Sequence, residues 1–103
     1  DMIVSAGYNI AGPEVEAALN DHPQVIQAAV IGHKVDGDEK VLAFCQVADG
    51  DDVSIDELRA FAAERLAGYK RPSQIILASS LPAAPTGKIL KHKLLEAFAD
   101  QIG

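Results

Sequence analysis

The sequence predicts an α+β domain: a small, mostly antiparallel three-stranded sheet with helices packed against it, plus an N-terminal β-hairpin. Three observations carry this. Residues 41–47 alternate Val41, Ala43, Cys45 and Val47 against Leu42, Phe44 and Gln46, and residues 25–31 are similarly β-rich, so two strands can pair as antiparallel neighbours. Ser54, Glu57 and the apolar set Leu58, Phe61, Ala62 and Leu66 spell out a helix with its start signal. Short apolar pieces flank Ser5-Ala6-Gly7, which reads as a tight hairpin turn.

In chain order, Gly7 supplies the freedom of φ for the first turn. Pro13 then stands at a first helical position with Glu14 in the first turn, and Val15, Ala18 and Leu19 form one apolar stripe that stops near His22-Pro23. Between the two β-rich runs, residues 33–40 are charged around Asp36-Gly37 and are expected to form a mobile, projecting loop. The next helix opens with Ser54 as N-cap, Glu57 as its capping-box partner and Val53 against Leu58 as a hydrophobic staple, while Gly68 suits the C′ position. A basic connector, Tyr69-Lys70-Arg71-Pro72, leads to a third strand over residues 74–78. Pro82 and Pro85 keep the following stretch out of helix and central strand, so residues 81–89 form an ordered loop. Leu90, Leu94, Ala97 and Phe98 recur at helical spacing, which places Lys88 at the mouth of the last helix.

With 103 residues, about half of them apolar, one compact domain can bury roughly two-thirds of its unfolded surface. No apolar run approaches the roughly 20 residues needed to span a bilayer, and no basic-then-apolar leader is present in these residues. One cysteine, Cys45, lies in an apolar strand, so no disulfide framework exists and a reducing cytoplasm is the expected compartment. A net charge of −6 with five aromatics argues against nucleic acid as a partner. The chain begins without methionine, already in strand-like sequence, and is expected to be part of something longer.

Charge is unevenly placed within this acidic chain. From Arg65 to Leu95 there is no acid, and the block holds Arg65, Lys70, Arg71, Lys88, Lys91 and Lys93. Such a one-signed segment can focus an anion, although a solvated basic surface is the plain alternative. Lys88 stands out within it, because a cation at a helix N-terminus faces the positive end of the dipole and asks for an external anion. A phosphate or carboxylate is the natural visitor.

Other motifs fail. Gly87-Lys88 is no P-loop, since the position five before Gly87 is Pro82 and the residue after the lysine is Ile89. His22, His33 and His92 lack metal-ligand spacing, Asp36, Asp38 and Glu39 lack EF-hand spacing and read as solvated, and Cys45 reads as a small buried hydrophobe; no metal is expected on this domain.

Two stretches at opposite ends, residues 1–16 around Ser5-Ala6-Gly7-Tyr8-Asn9-Ile10 and Pro85-Thr86-Gly87-Lys88-Ile89, together resemble the adenylate-forming superfamily of acyl-CoA synthetases, adenylation domains and luciferases. The resemblance covers the whole chain, as the small C-terminal domain of enzymes with a much larger N-terminal domain. It implies a two-step reaction in which ATP, with Mg2+, and a small carboxylic acid form an acyl-adenylate, after which coenzyme A displaces AMP; the small domain rotates between steps. Lys88 matches the adenylation lysine, with Thr86 and Gly87 supporting its loop. Ser5, Ala6, Gly7 and Tyr8 match the turn that lines the pantetheine channel, although many relatives carry glycine where this chain has Ala6. Lys70 and Arg71 match possible contacts to CoA phosphates. On this resemblance ATP and CoA are substrates, none is bound by the domain alone, and its partner is its own N-terminal domain rather than a membrane or nucleic acid. The wording of residues 5–10 leans toward aryl or related acids. An adenylation-domain lobe loading a carrier protein, and a stand-alone, non-catalytic interaction module of the same fold, are the alternatives.

Overall fold

The computed structural model describes residues 2–103. The N-terminal hairpin forms as expected from β1 (Met2–Ser5) and β2 (Tyr8–Ala11), paired Ile3 to Ile10 and Ser5 to Tyr8. Its turn takes positive φ at both central residues, 51° at Ala6 and 84° at Gly7, the pattern of a two-residue type I′ turn whose twist matches the strands. α1 (Gly12–Asn20) follows at once, with proline in its first turn and Val15, Ala18 and Leu19 buried.

The longest elements are β3 (Val25–Val35) and β4 (Asp38–Val47), an antiparallel pair. The projecting loop expected over residues 33–40 does not exist. Pairing continues through His33 with Lys40 and Lys34 with Glu39 to Val35 with Asp38, and the connection is Asp36-Gly37 alone, with φ of 53° and 83°. Asp-Gly supplies both positive φ values that so short a turn needs, and the polar ladder above it hid the strands from a hydrophobicity reading.

α2 (Ile55–Ala63) returns the chain across the sheet to β5 (Gln74–Ala78). Because a helix fills the connection, β5 runs parallel to β4, Leu42 beside Gln74 and Gln46 beside Ala78, so the sheet β3-β4-β5 is mixed rather than wholly antiparallel. Ser54 caps α2 as expected, its Oγ accepting the Glu57 N–H at 3.0 Å. The rest of the capping box is absent, since the Glu57 carboxylate turns instead to His22. That imidazole is buried; its Nδ1 accepts the Gln24 N–H at 3.1 Å, which leaves the proton of the neutral ring on Nε2 to donate to Glu57 at 2.7 Å. Gly68 is not a left-handed C′ residue either: it opens a 3₁₀ turn, Gly68–Lys70, and the carbonyls at the end of α2 are closed by Arg71, whose Nε donates to Leu66 O at 3.1 Å and Nη2 to Ala63 O at 3.0 Å.

Alternation along β4 sorts the core into two layers. Val41, Ala43, Cys45 and Val47 face the hairpin, α1 and α2; Leu42 and Phe44 face Leu81 and Leu94, with Ile89 and Phe98 packed at that margin. The final helix is shorter than its spacing predicts: a 3₁₀ turn Lys91–Lys93, then α3 (Leu94–Ala97), then a 3₁₀ turn Ala99–Gln101. No helix among the described residues is long and apolar enough to cross a membrane.

Candidate functional site

The segment carrying Lys88 is a short ribbon. Ala83 bridges Ile89, the Leu90 N–H donates to Pro82 O at 2.8 Å, and the Gly87 and Lys88 ends close on Ala84 through Gly87 N–H to Ala84 O and Ala84 N–H to Lys88 O, both 2.8 Å. With Pro85 second in the turn and Gly87 at φ 91°, the arrangement matches a turn followed by a left-handed glycine in a three-residue hairpin loop. Pro-Thr-Gly is the chemistry such a loop needs: proline presets φ, glycine takes the left-handed site, and the next residue returns to the ribbon.

Lys88 is therefore not at a helix N-terminus. The chain stays extended through Leu90 and turns helical only at Lys91, so the dipole argument for an external anion does not apply. What remains is simpler. Lys88 is exposed and forms no ion pair with the described residues. It borders an open cavity of about 560 Å³ shared with Glu16, Gln27, Ala28, Lys91 and His92.

Its basic neighbours are mostly engaged. The Glu16 carboxylate holds the Lys91 ammonium and also accepts the Val30 N–H at 2.8 Å, covering the outer edge of β3. Lys70 donates to both oxygens of Glu14, which raises its pKa above the ordinary lysine value. Arg65 lies 3.5 Å over the Phe61 ring and within 3.7 Å of Asp21. Arg71 is the cap on α2 already described. Within the acid-free block Lys70 and Lys91 are thus paired with acids of α1 and Arg65 with Asp21 just beyond it, while Lys88 and Lys93 are exposed and form no ion pair with the described residues.

At the other end of the molecule the Ser5–Tyr8 turn is also open. A Cβ built at Gly7 meets nothing within 4 Å, so it is φ rather than space that demands glycine there. Tyr8 stacks on Tyr69 with centroids 4.4 Å apart, and both rings remain about half exposed at 52% and 44%. Tyr69 carries no signal in the sequence for this role; it becomes visible only once the 3₁₀ turn carries it beside the hairpin.

Asp38 and Glu39, read from the sequence as solvated, are fasteners. Glu39 Oε1 accepts the Val4 N–H at 2.8 Å, and the Asp38 oxygens accept the Ala6 N–H at 3.0 and 3.3 Å. The Ala6 N–H, then the Glu39 N–H and the Lys40 charge, hold the Asp38 carboxyl below the usual carboxylate value.

The two exposed ends lie far apart. Ala28, beside Lys88, and Val35, paired with Asp38 under the turn, are seven residues apart on β3, about 24 Å at the rise of an antiparallel strand. One small reacting centre does not touch both at once.

This fold, with an open turn at one end and an exposed lysine on a tied loop at the other, is that of the C-terminal domain of AMP-binding enzymes. Residues 14–88 match the AMP-binding enzyme C-terminal domain, and the chain belongs to that family. It is 38% identical over 99 residues to the long-chain-fatty-acid–CoA ligase FadD13 of Mycobacterium tuberculosis, covering 96% of this chain and 20% of that protein. It is 36% identical over 104 residues to the mitochondrial medium-chain acyl-CoA ligase ACSF2 of Danio rerio, covering 100% of this chain and 17% of that one. A solved Mycobacterium tuberculosis fatty acyl CoA synthetase superposes with a TM-score of 0.87 at 36% identity, over 100% of this chain and 20% of its own. The chain thus spans about a fifth of the length of the relatives it matches.

Proposed function

We propose that the chain is the C-terminal, re-orienting domain of a carboxylate–CoA ligase whose larger N-terminal domain supplies most of the nucleotide and acyl pockets. In the first step a carboxylate oxygen of the acid attacks the α-phosphorus of ATP and the bond to pyrophosphate breaks. Lys88 enters the reacting centre and stabilises charge on the carboxylate and α-phosphate oxygens; Thr86 and Gly87 keep its loop in shape. In the second step the CoA thiol attacks the acyl carbon and AMP departs. Ser5, Ala6, Gly7 and Tyr8 line the path of the pantetheine arm in this reading. Lys70 and Arg71 are weaker candidates for CoA phosphates, because Glu14 and the end of α2 already engage them.

The observation that carries the reading is Lys88 itself: an exposed ammonium that forms no ion pair with the described residues, held out on a loop whose backbone is tied at Pro82, Ala84 and Gly87. The roughly 24 Å between Ala28 and Val35 on β3 supports two separate visits, hence a domain that turns. The names of the relatives include fatty-acid ligases and a 4-coumarate–CoA ligase, so octanoate, palmitate and benzoate are the acids to try. The deciding experiment is acid-dependent ATP–pyrophosphate exchange by the full-length protein with and without Lys88→Ala, alongside thioester formation from supplied octanoyl-adenylate. Loss of exchange with thioester formation retained supports the assignment; equal loss of both rejects it.

A further inference from the structure

We propose that Asp38 and Glu39 are positioning residues for thioester formation, two adjacent carboxylates that hold the Ser5–Tyr8 turn in the shape and place its role requires. The inference rests on the reading of that turn given above. β1 is the outer strand of a two-stranded hairpin, so the N–H groups of Val4 and Ala6 have no partner across the hairpin. Each is met by one carboxylate, Val4 by Glu39 and Ala6 by both oxygens of Asp38. Charge-assisted bonds of this kind are stronger and more directional than neutral ones.

The need for them lies in Ala6. It carries a Cβ at φ 51°, a left-handed conformation that alanine disfavours, at the tip of an exposed turn with no other restraint on its N–H. Asp38 rests on the rigid end of the β3–β4 hairpin and lends that rigidity to the turn. Glycine at position 32 leaves room for the Glu39 carboxylate where it meets the hairpin: a Cβ there would lie 2.5 Å from Glu39 Oε2 and 3.2 Å from Ile3 Cγ2. Asp38 thus holds the turn itself and Glu39, beside Gly32, holds the strand that leads into it. An ordinary fold staple would also hold two strands together, but it would have no reason to act on one half-reaction.

The test uses the full-length protein, the two half-reactions above, and the acid among octanoate, palmitate and benzoate that the unaltered protein activates best. Asp38→Ala is expected to lower kcat/KM for CoA about tenfold while pyrophosphate exchange stays within about twofold. Asp38→Asn keeps an oxygen for the Ala6 N–H and should recover most of the loss. Ala6→Gly in the Asp38→Ala protein should recover it too, since glycine adopts the turn unaided. Should Asp38→Ala not fold, Glu39→Ala, which removes the acceptor for the Val4 N–H, carries the comparison. The inference is overturned by parallel loss of both half-reactions, by unchanged use of CoA, or by failure of Ala6→Gly to rescue. A protein inactive in both half-reactions with all three acids sinks the function itself, and this assignment with it.

Discussion

Lys70 Nζ donates to both carboxylate oxygens of Glu14, at 3.0 and 2.9 Å, joining residues 56 apart in sequence. The pair ties the turn after α2 to the first turn of α1, beside the Tyr8–Tyr69 stack. Glu14 raises the folded pKa of Lys70, so its contribution is fully present below the unfolded value of about 10.4 and is lost as pH rises through the higher folded value. Lys70→Met should therefore lower Tm at about pH 8, and the gap from the unaltered protein should close in strongly alkaline solution. A gap that persists there would mean that packing, not charge, is responsible.

Asp38 behaves in the opposite sense. Its folded pKa is depressed, first by the Ala6 N–H, so its contribution is present above the unfolded value of about 3.9 and disappears as pH falls through the lower folded value. The Glu39 N–H and the Lys40 charge act on the Asp38 carboxyl in the same direction. Thermal unfolding scanned across acid pH should show Asp38→Asn with a weaker fall in Tm than the unaltered protein over that window. Identical slopes would contradict the hydrogen-bonded geometry.

Arg71 closes α2 by a fork, with Nε on Leu66 O and Nη2 on Ala63 O. Lysine has no such fork. Arg71→Lys should thus cost about as much as Arg71→Ala, roughly 1 kcal/mol for partly exposed bonds of this kind, read by urea unfolding of the two variants. Full stability of Arg71→Lys would show that only the charge matters.

Cys45 is wholly buried in β4, and burial pushes its thiol up to about 12. At neutral pH the thiolate fraction is negligible, so iodoacetamide should label the protein only after denaturation. Labelling of the native protein at the rate of a free thiol would place Cys45 outside the core.

Modification of Lys88 is the last prediction. Acetylation removes the charge while leaving the tied loop intact, so stoichiometric acetylation should reduce pyrophosphate exchange by about a hundredfold and leave the fold, read by circular dichroism, unchanged. Undiminished exchange would remove Lys88 from the first step.

What could be read in advance follows from how local each signal is. The β4 alternation and the Ser54 cap depend on residues within a few positions of one another, and each forms as written. The parallel setting of β5 depends on where α2 delivers the chain, which no residue in β5 states. Asp38, Glu39 and Glu57 were opaque because a carboxylate chooses its partner through space: Ala6 and Val4 lie more than thirty residues away, and His22 displaced the near partner that Glu57 was expected to take. Lys88 was singled out by its resemblance to the adenylation lysine and by a helix mouth that does not exist, since the chain turns helical only at Lys91.

The ribbon around Lys88 has a kinetic corollary. Backbone bonds at Pro82, Ala84 and Gly87 leave the loop no slack, so only the methylene stem of the lysine can swing by itself. An amine mounted this way travels as far as its whole lobe travels. The timing of the first chemical step would then be written in the hinge that carries the lobe, and substitutions at that pivot should alter turnover without touching a single reacting atom.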